Sequence, residues 1–155
     1  MYHHYIYPTI YNPLKKYTYF PDINGQFLIR TLEGNDPNTE ADYAMMHFTL
    51  VVNQPFEEKE VYVFGAFNNF EITEEHKMYF DPESKTYRAN FLLKQGFYNY
   101  SFATVGNDHQ VNLREVNGSF DETENLYTVL VYYKAFGAVY QRVIGMGTGF
   151  FDQNR

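Results

Sequence analysis

Asn68 and Asn69 stand side by side between Phe67 and Phe70 in "VYVFGAFNNFEI". Aromatic faces beside paired amides can grip a sugar, the ring stacking on the pyranose while the amides bond its hydroxyls. The same residues can equally end a strand and start a turn, because asparagine side chains bond nearby backbone. A second group of rings, Tyr2, Tyr5 and Tyr7, lies in "MYHHYIYPTIY" and could meet a protein or a sugar surface.

Other reactive types are present without the spacing that chemistry needs. His3 and His4 are adjacent, so an extended chain points them to opposite faces. His47, His76 and His109 stand apart, with no H-x-H or HExxH pattern, and no metal is expected. Ser84, Ser101 and Ser119 are the only serines and none sits in G-x-S-x-G. Glu122 and Glu124 would lie side by side in an extended segment, whereas a glycosidase needs carboxyls facing across a cleft. "GMGTGF" (145–150) is too near the last residue, Arg155, to open a phosphate-binding helix, and reads as a tail. No catalytic residue and no cofactor is expected.

The composition narrows the partners. A formal net charge of -7 repels phosphate backbones, so nucleic acid is not expected. No apolar run reaches the roughly 20 residues of a membrane helix, so direct membrane insertion is not expected. The chain has no cysteine, which excludes thiol catalysis and cysteine zinc sites. "YHHYIYPTIY" after Met1 lacks the features of a signal peptide. The chain is expected to be either cytosolic or part of a longer protein whose targeting segment lies elsewhere. Sixteen tyrosines and fifteen phenylalanines, with no tryptophan, suit strands packed face to face.

Period-two alternation sets the fold class. "MHFTLVV" puts Met46, Phe48, Leu50 and Val52 on one face, and "YRANFLL" does so with Tyr87, Ala89, Phe91 and Leu93. "FYNYSFAT" aligns Tyr98, Tyr100 and Phe102, and "YTVLVYY" aligns Tyr127, Val129, Val131 and Tyr133. "QFLIR" and "VYVF" are shorter strands, and "AVYQRVIG" is expected to close the sheet at Gly145. "DING", "DPES", "KQG" and "NG" carry turn chemistry between them. No segment has a helical stripe of ordinary length. Many short strands with such joints predict an all-β antiparallel sandwich. Its core is expected to hold Phe48, Leu50, Phe91, Leu93, Val129 and Val131. Residues 1–40 are read as an N-terminal arm and edge strands, 41–145 as the sandwich and 146–155 as a C-terminal tail.

"VYVFGAFNNF" followed by "KMYFDPESKTYRANFLLKQGFYNYSFAT" resembles early-set immunoglobulin-like domains, the glycogen-binding modules among them. In those modules a tryptophan after the paired asparagines stacks on glucose. The resemblance supports the fold, while Phe70 in the tryptophan position argues against a carbohydrate partner. Over nearly the whole chain, "YFPDINGQFLIR", "ADYAMMHFTL", "LKQGFYNYSF" and "GSFDETENLYTVLVYY" resemble the C-terminal domain of the DUF5103 family, the plug proteins of the type IX secretion system. That resemblance implies an immunoglobulin-like fold, no enzymatic activity and a periplasmic location at the outer membrane. It also implies an N-terminal domain and a signal peptide outside this chain. The implied partner is the outer-membrane translocon barrel, which the plug seals when idle. Contact residues are expected among Tyr2, Tyr5, Tyr7 and Phe67 to Phe70. A glucan-binding module is the alternative.

Overall fold

Alternation in "MHFTLVV" and "YRANFLL" becomes the central strand pair of a computed structural model that describes residues 2–18, 20–31, 33–120 and 122–151. The chain divides into two units. One comprises Met1–Lys15 with Phe20–Ser119, the other Lys16–Tyr19 with Phe120–Arg155.

Among the described residues the first unit contains ten strands: β1 (Tyr2–Tyr5), β2 (Thr9–Ile10), β3 (Phe27–Ile29), β4 (Tyr43–Val51), β5 (Lys59–Phe64), β6 (Lys77–Asp81), β7 (Thr86–Lys94), β8 (Gly96–Tyr98), β9 (Ser101–Gly106) and β10 (Val111–Asn112). Two four-residue helices, α1 (Pro37–Glu40) and α2 (Arg114–Asn117), and two 3-10 turns are its helical pieces among the described residues. The strand order is β1-β4-β7-β6-β5-β9-β10, with β2 also on β4, while β3 pairs β8 separately. β6 is the corner of this arrangement. Its first residues pair with Val61 and Tyr62 of β5, and Tyr79 to Asp81 pair with β7. Inward side chains from both sides of that corner share one core: Phe48 and Leu50, Val61 and Val63, Ala89 and Phe91, and Phe102. The fold is therefore all-β and sandwich-like.

One feature departs from the antiparallel expectation. β1 and β2 run parallel to β4, at Tyr2↔Ala44 and Thr9↔Leu50. A parallel pair needs a long return connection, and the stretch between Ile10 and Tyr43 supplies it. "FYNYSFAT" also breaks, into β8 and β9, because Asn99 leaves the ladder to serve a neighbouring turn.

The second unit is a hairpin of β11 (Asn125–Tyr133) and β12 (Arg142–Phe151). Val129 and Val131, expected in the core, are 63% and 48% exposed. A two-stranded hairpin has no opposing layer of its own, so neither face is buried by its partner strand. The sheet does not close at Gly145. Residues 146–151, expected as tail, are strand, and the backbone of β12 pairs along its length with β11. Residues 152–155 of that expected tail, like Asp121 of "FDETENLY", lie outside the described residues.

Candidate functional site

The stretch after β5 is built on a glycine with no room for anything else. Gly65 is extended, at φ 178° and ψ -179°. A Cβ there would lie 2.6 Å from Phe67 Cε1 and 2.8 Å from the Asn99 carbonyl oxygen. Chain and ring close over this point, and a 3-10 turn, Ala66–Asn68, follows.

Asn68 is buried and its amide is fully used. Oδ1 accepts from the Gly65 N–H at 3.2 Å, and Nδ2 donates to the carbonyls of Val63 (3.3 Å) and Glu71 (3.1 Å). The amide thus stitches the end of β5 to the chain beyond the turn. Asn69 takes the left-handed conformation at φ 55°, which asparagine tolerates better than most residues, and its side chain is exposed. Phe67 turns inward, half-buried, with its ring centroid 5.8 Å from Phe91 and 5.6 Å from His76. Phe70 turns outward, 48% exposed, with Phe64 at 5.6 Å. Phe67 and Asn68 therefore hold the fold, and only Asn69 and Phe70 are free to meet a ligand.

Other motifs of the sequence converge on the same place. Asn99 Oδ1 accepts from the backbone N–H groups of Ile23 (3.1 Å) and Gly25 (3.0 Å), and its own N–H donates to the Gln26 carbonyl. "DING" is thereby clamped to "FYNY", whose backbone lies against Gly65. Gly96 of "KQG" is required for close approach, since a Cβ there would collide with the Leu28 carbonyl oxygen. Nothing in the local pattern of "FYNY" marks Asn99 as the hub, because its partners are more than seventy positions away.

Tyr2, Tyr5 and Tyr7 are all exposed, Tyr7 at 92%. Tyr5 is nonetheless engaged, stacked on His47 with ring centroids 4.2 Å apart. The β1–β4 register also brings His3 Nδ1 within 2.9 Å of His47 Nε2, and His47 Nδ1 lies 2.9 Å from Asn90 Oδ1. These histidines are far apart in the sequence, and only the unexpected parallel pairing unites them. Among the described residues no three histidine or carboxylate side chains gather as metal ligands.

Tyr2 and His4 line a cleft of about 640 Å3 with Glu33, Glu40, Asp42 and Lys94. Two of its charged groups already have partners. The Glu40 carboxylate accepts the backbone N–H groups of Asp36 and Asn35, which hold it below the usual carboxylate range. Lys94 Nζ donates to the Asn38 carbonyl at 2.7 Å.

His76 is buried against the aromatic core. Burial beside Phe67 and Phe91 pushes its imidazole down, with Glu75 pulling weakly the other way. The unfolded chain takes up this proton near pH 6.5 while the folded chain resists it. Stability should thus be full above that pH and fall as the pH drops below it. In urea titrations between about pH 7.5 and 5.5, His76→Gln should flatten that slope. An unchanged slope in the variant would assign the dependence to other groups.

No family model matches the chain, and no curated protein matches it. Among solved structures it is similar to the crystal structure of a hypothetical protein from Parabacteroides merdae, with 35% identity and a TM-score of 0.81. The match covers 96% of this chain and 38% of that one, so the chain spans well under half the length of its relative.

Proposed function

We propose that this chain is the C-terminal domain of a periplasmic DUF5103-type plug protein that seals the outer-membrane translocon of the type IX secretion system. The observation that carries the reading is the convergence of the resembling motifs, "DING", "GAFNN", "KQG" and "FYNY", on backbone clamps and close approaches. Motifs that serve the fold suit a protein whose task is to fill space and needs no reaction. The strand order supports the immunoglobulin-like, early-set form of the sandwich. β4-β7-β6 corresponds to a B-E-D layer and β5-β9-β10 to a C-F-G layer, with β1 and β2 added in parallel at the β4 edge. A relative with a much longer chain suits a domain that belongs to a larger protein.

The mechanism is steric. A folded, acidic, tyrosine-rich body occupies the pore and leaves when a client or partner displaces it. Exposed Tyr2, Tyr7, Asn69 and Phe70 are the contacts this reading favours, because aromatic side chains contribute most at protein interfaces. The tagged full-length protein should co-purify with the translocon barrel, and deleting its gene should make the outer membrane leaky to small solutes. If neither happens, the plug assignment fails.

One observation favours the glucan-binding alternative: Phe70 is accessible beside an exposed amide. A lone phenylalanine offers less stacking area than tryptophan and no N–H donor. Calorimetry with maltoheptaose should therefore give no signal at millimolar concentration. Binding that Phe70→Ala abolishes would replace the plug reading with the carbohydrate one.

A further inference from the structure

The β11–β12 hairpin is apolar on both faces. In the paired register, Tyr127, Val129 and Val131 share one face with Gly149, Gly147 and Gly145. Leu126, Thr128 and Leu130 share the other with Phe150, Thr148 and Met146. The large side chains of both faces are exposed, from Leu130 at 44% to Met146 at 72%. A two-stranded hairpin in water is marginal unless a further layer covers it.

Its outer edges are equally unprotected. Soluble proteins guard long edge strands with lysine, proline or inward charge. β11 carries no charged residue and no proline, and β12 carries only Arg142, at its start. Each strand thus offers an unguarded row of backbone donors and acceptors to another strand. The glycine face adds shape. A Cβ at Gly147 or Gly149 would meet nothing within 4 Å, so the hairpin itself does not require them. Glycine weakens a strand, and its use there fits a place where another backbone or ring approaches closely.

We propose that this hairpin docks into a β-rich part of the same polypeptide outside residues 1–155, adding its strands to a sheet edge there and burying both faces. The proposal rests on the reading of the chain as one domain of a longer protein. Three considerations select this occupant. The similar crystal structure has most of its chain outside the matched region, so a covering segment has a source. A second copy related by a twofold axis would cover one face and leave the other exposed. A plug released from its barrel would expose a two-sided apolar hairpin whose strands carry no charge but Arg142, an aggregation hazard that only a permanent cover removes.

Hydrogen exchange read by mass spectrometry tests this on the whole reading frame and on the 155-residue chain. Amides in 125–133 and 142–151 should exchange at least about tenfold more slowly in the longer protein. Val129→Asp in the longer protein should abolish that difference while amides around Phe91 stay protected, which separates undocking from unfolding. Equal protection in the 155-residue chain as a monomer would overturn the proposal. So would protection that appears only with dimerisation, by light scattering, which would assign the face to a second copy. Protection that appears in the longer protein only when the barrel is added would overturn it too, yet leave the plug reading standing. A protected hairpin in a protein that captures no barrel and whose deletion adds no permeability would sink the plug reading and leave the docking intact.

Discussion

Phe91→Ala should destabilise the first unit by about 3–5 kcal/mol, the range for emptying a buried phenylalanine site. Phe91 is 3% exposed and sits where both sides of the β6 corner meet. Its ring stacks on Phe48 at 4.7 Å, meets His76 edge-on at 4.5 Å and lies near Phe67 at 5.8 Å. Those neighbours come from β4 and from the turns flanking β5 and β6, so no single element can shift to fill the void. Urea unfolding followed by far-UV circular dichroism should show a lower midpoint with an unchanged slope. Val129→Ala in the same 155-residue chain should shift stability by no more than about 0.5 kcal/mol, because Val129 is exposed. Similar losses for both variants would put Val129 in a core and refute the division into two units.

That contrast marks where alternation is legible and where it misleads. In β4 and β7 one face is apolar and the other holds His47, Thr49, Arg88 and Asn90, so the alternation by itself identifies the inward side. In β11 both faces are apolar, and period two cannot say which is buried or whether either is. β12 reads in sequence as a sheet end and a tail because glycine at every second position carries little strand preference. The direction of β1 leaves no mark in the sequence. Parallel and antiparallel edge strands have the same short alternation, and the His3–His47 contact follows only from direction and register. Among the candidate contacts, the residue types of "FNNF" single out the loop but do not sort its members. Whether Phe67 or Phe70 faces outward depends on the 3-10 turn and on two successive left-handed residues, Asn69 and Phe70.

The paired asparagines should separate cleanly under mutation, because the fold uses them for different things. Asn68→Ala should cost about 2–4 kcal/mol. It removes the acceptor of the Gly65 N–H and the donor to the Val63 and Glu71 carbonyls, in a place where Asn68 itself is 8% exposed. Unpaired backbone groups near the end of a core strand then bear their desolvation cost without compensation. Asn68→Asp should be no better, since a carboxylate keeps the acceptor but turns both donated bonds into repulsion between oxygens. Asn69 is different. Its side chain is exposed, and what its position demands is a backbone at φ 55°. Asn69→Gly meets that demand at no steric cost and should leave stability within about 1 kcal/mol, while Asn69→Val should cost more, because β-branched residues resist the left-handed region. Equal losses for Asn68→Ala and Asn69→Gly would mean that the turn is not held by the Asn68 amide. A large loss of barrel capture in Asn69→Gly with stability intact would instead make the second asparagine a contact residue, and the outward half of "FNNF" the face that meets the partner.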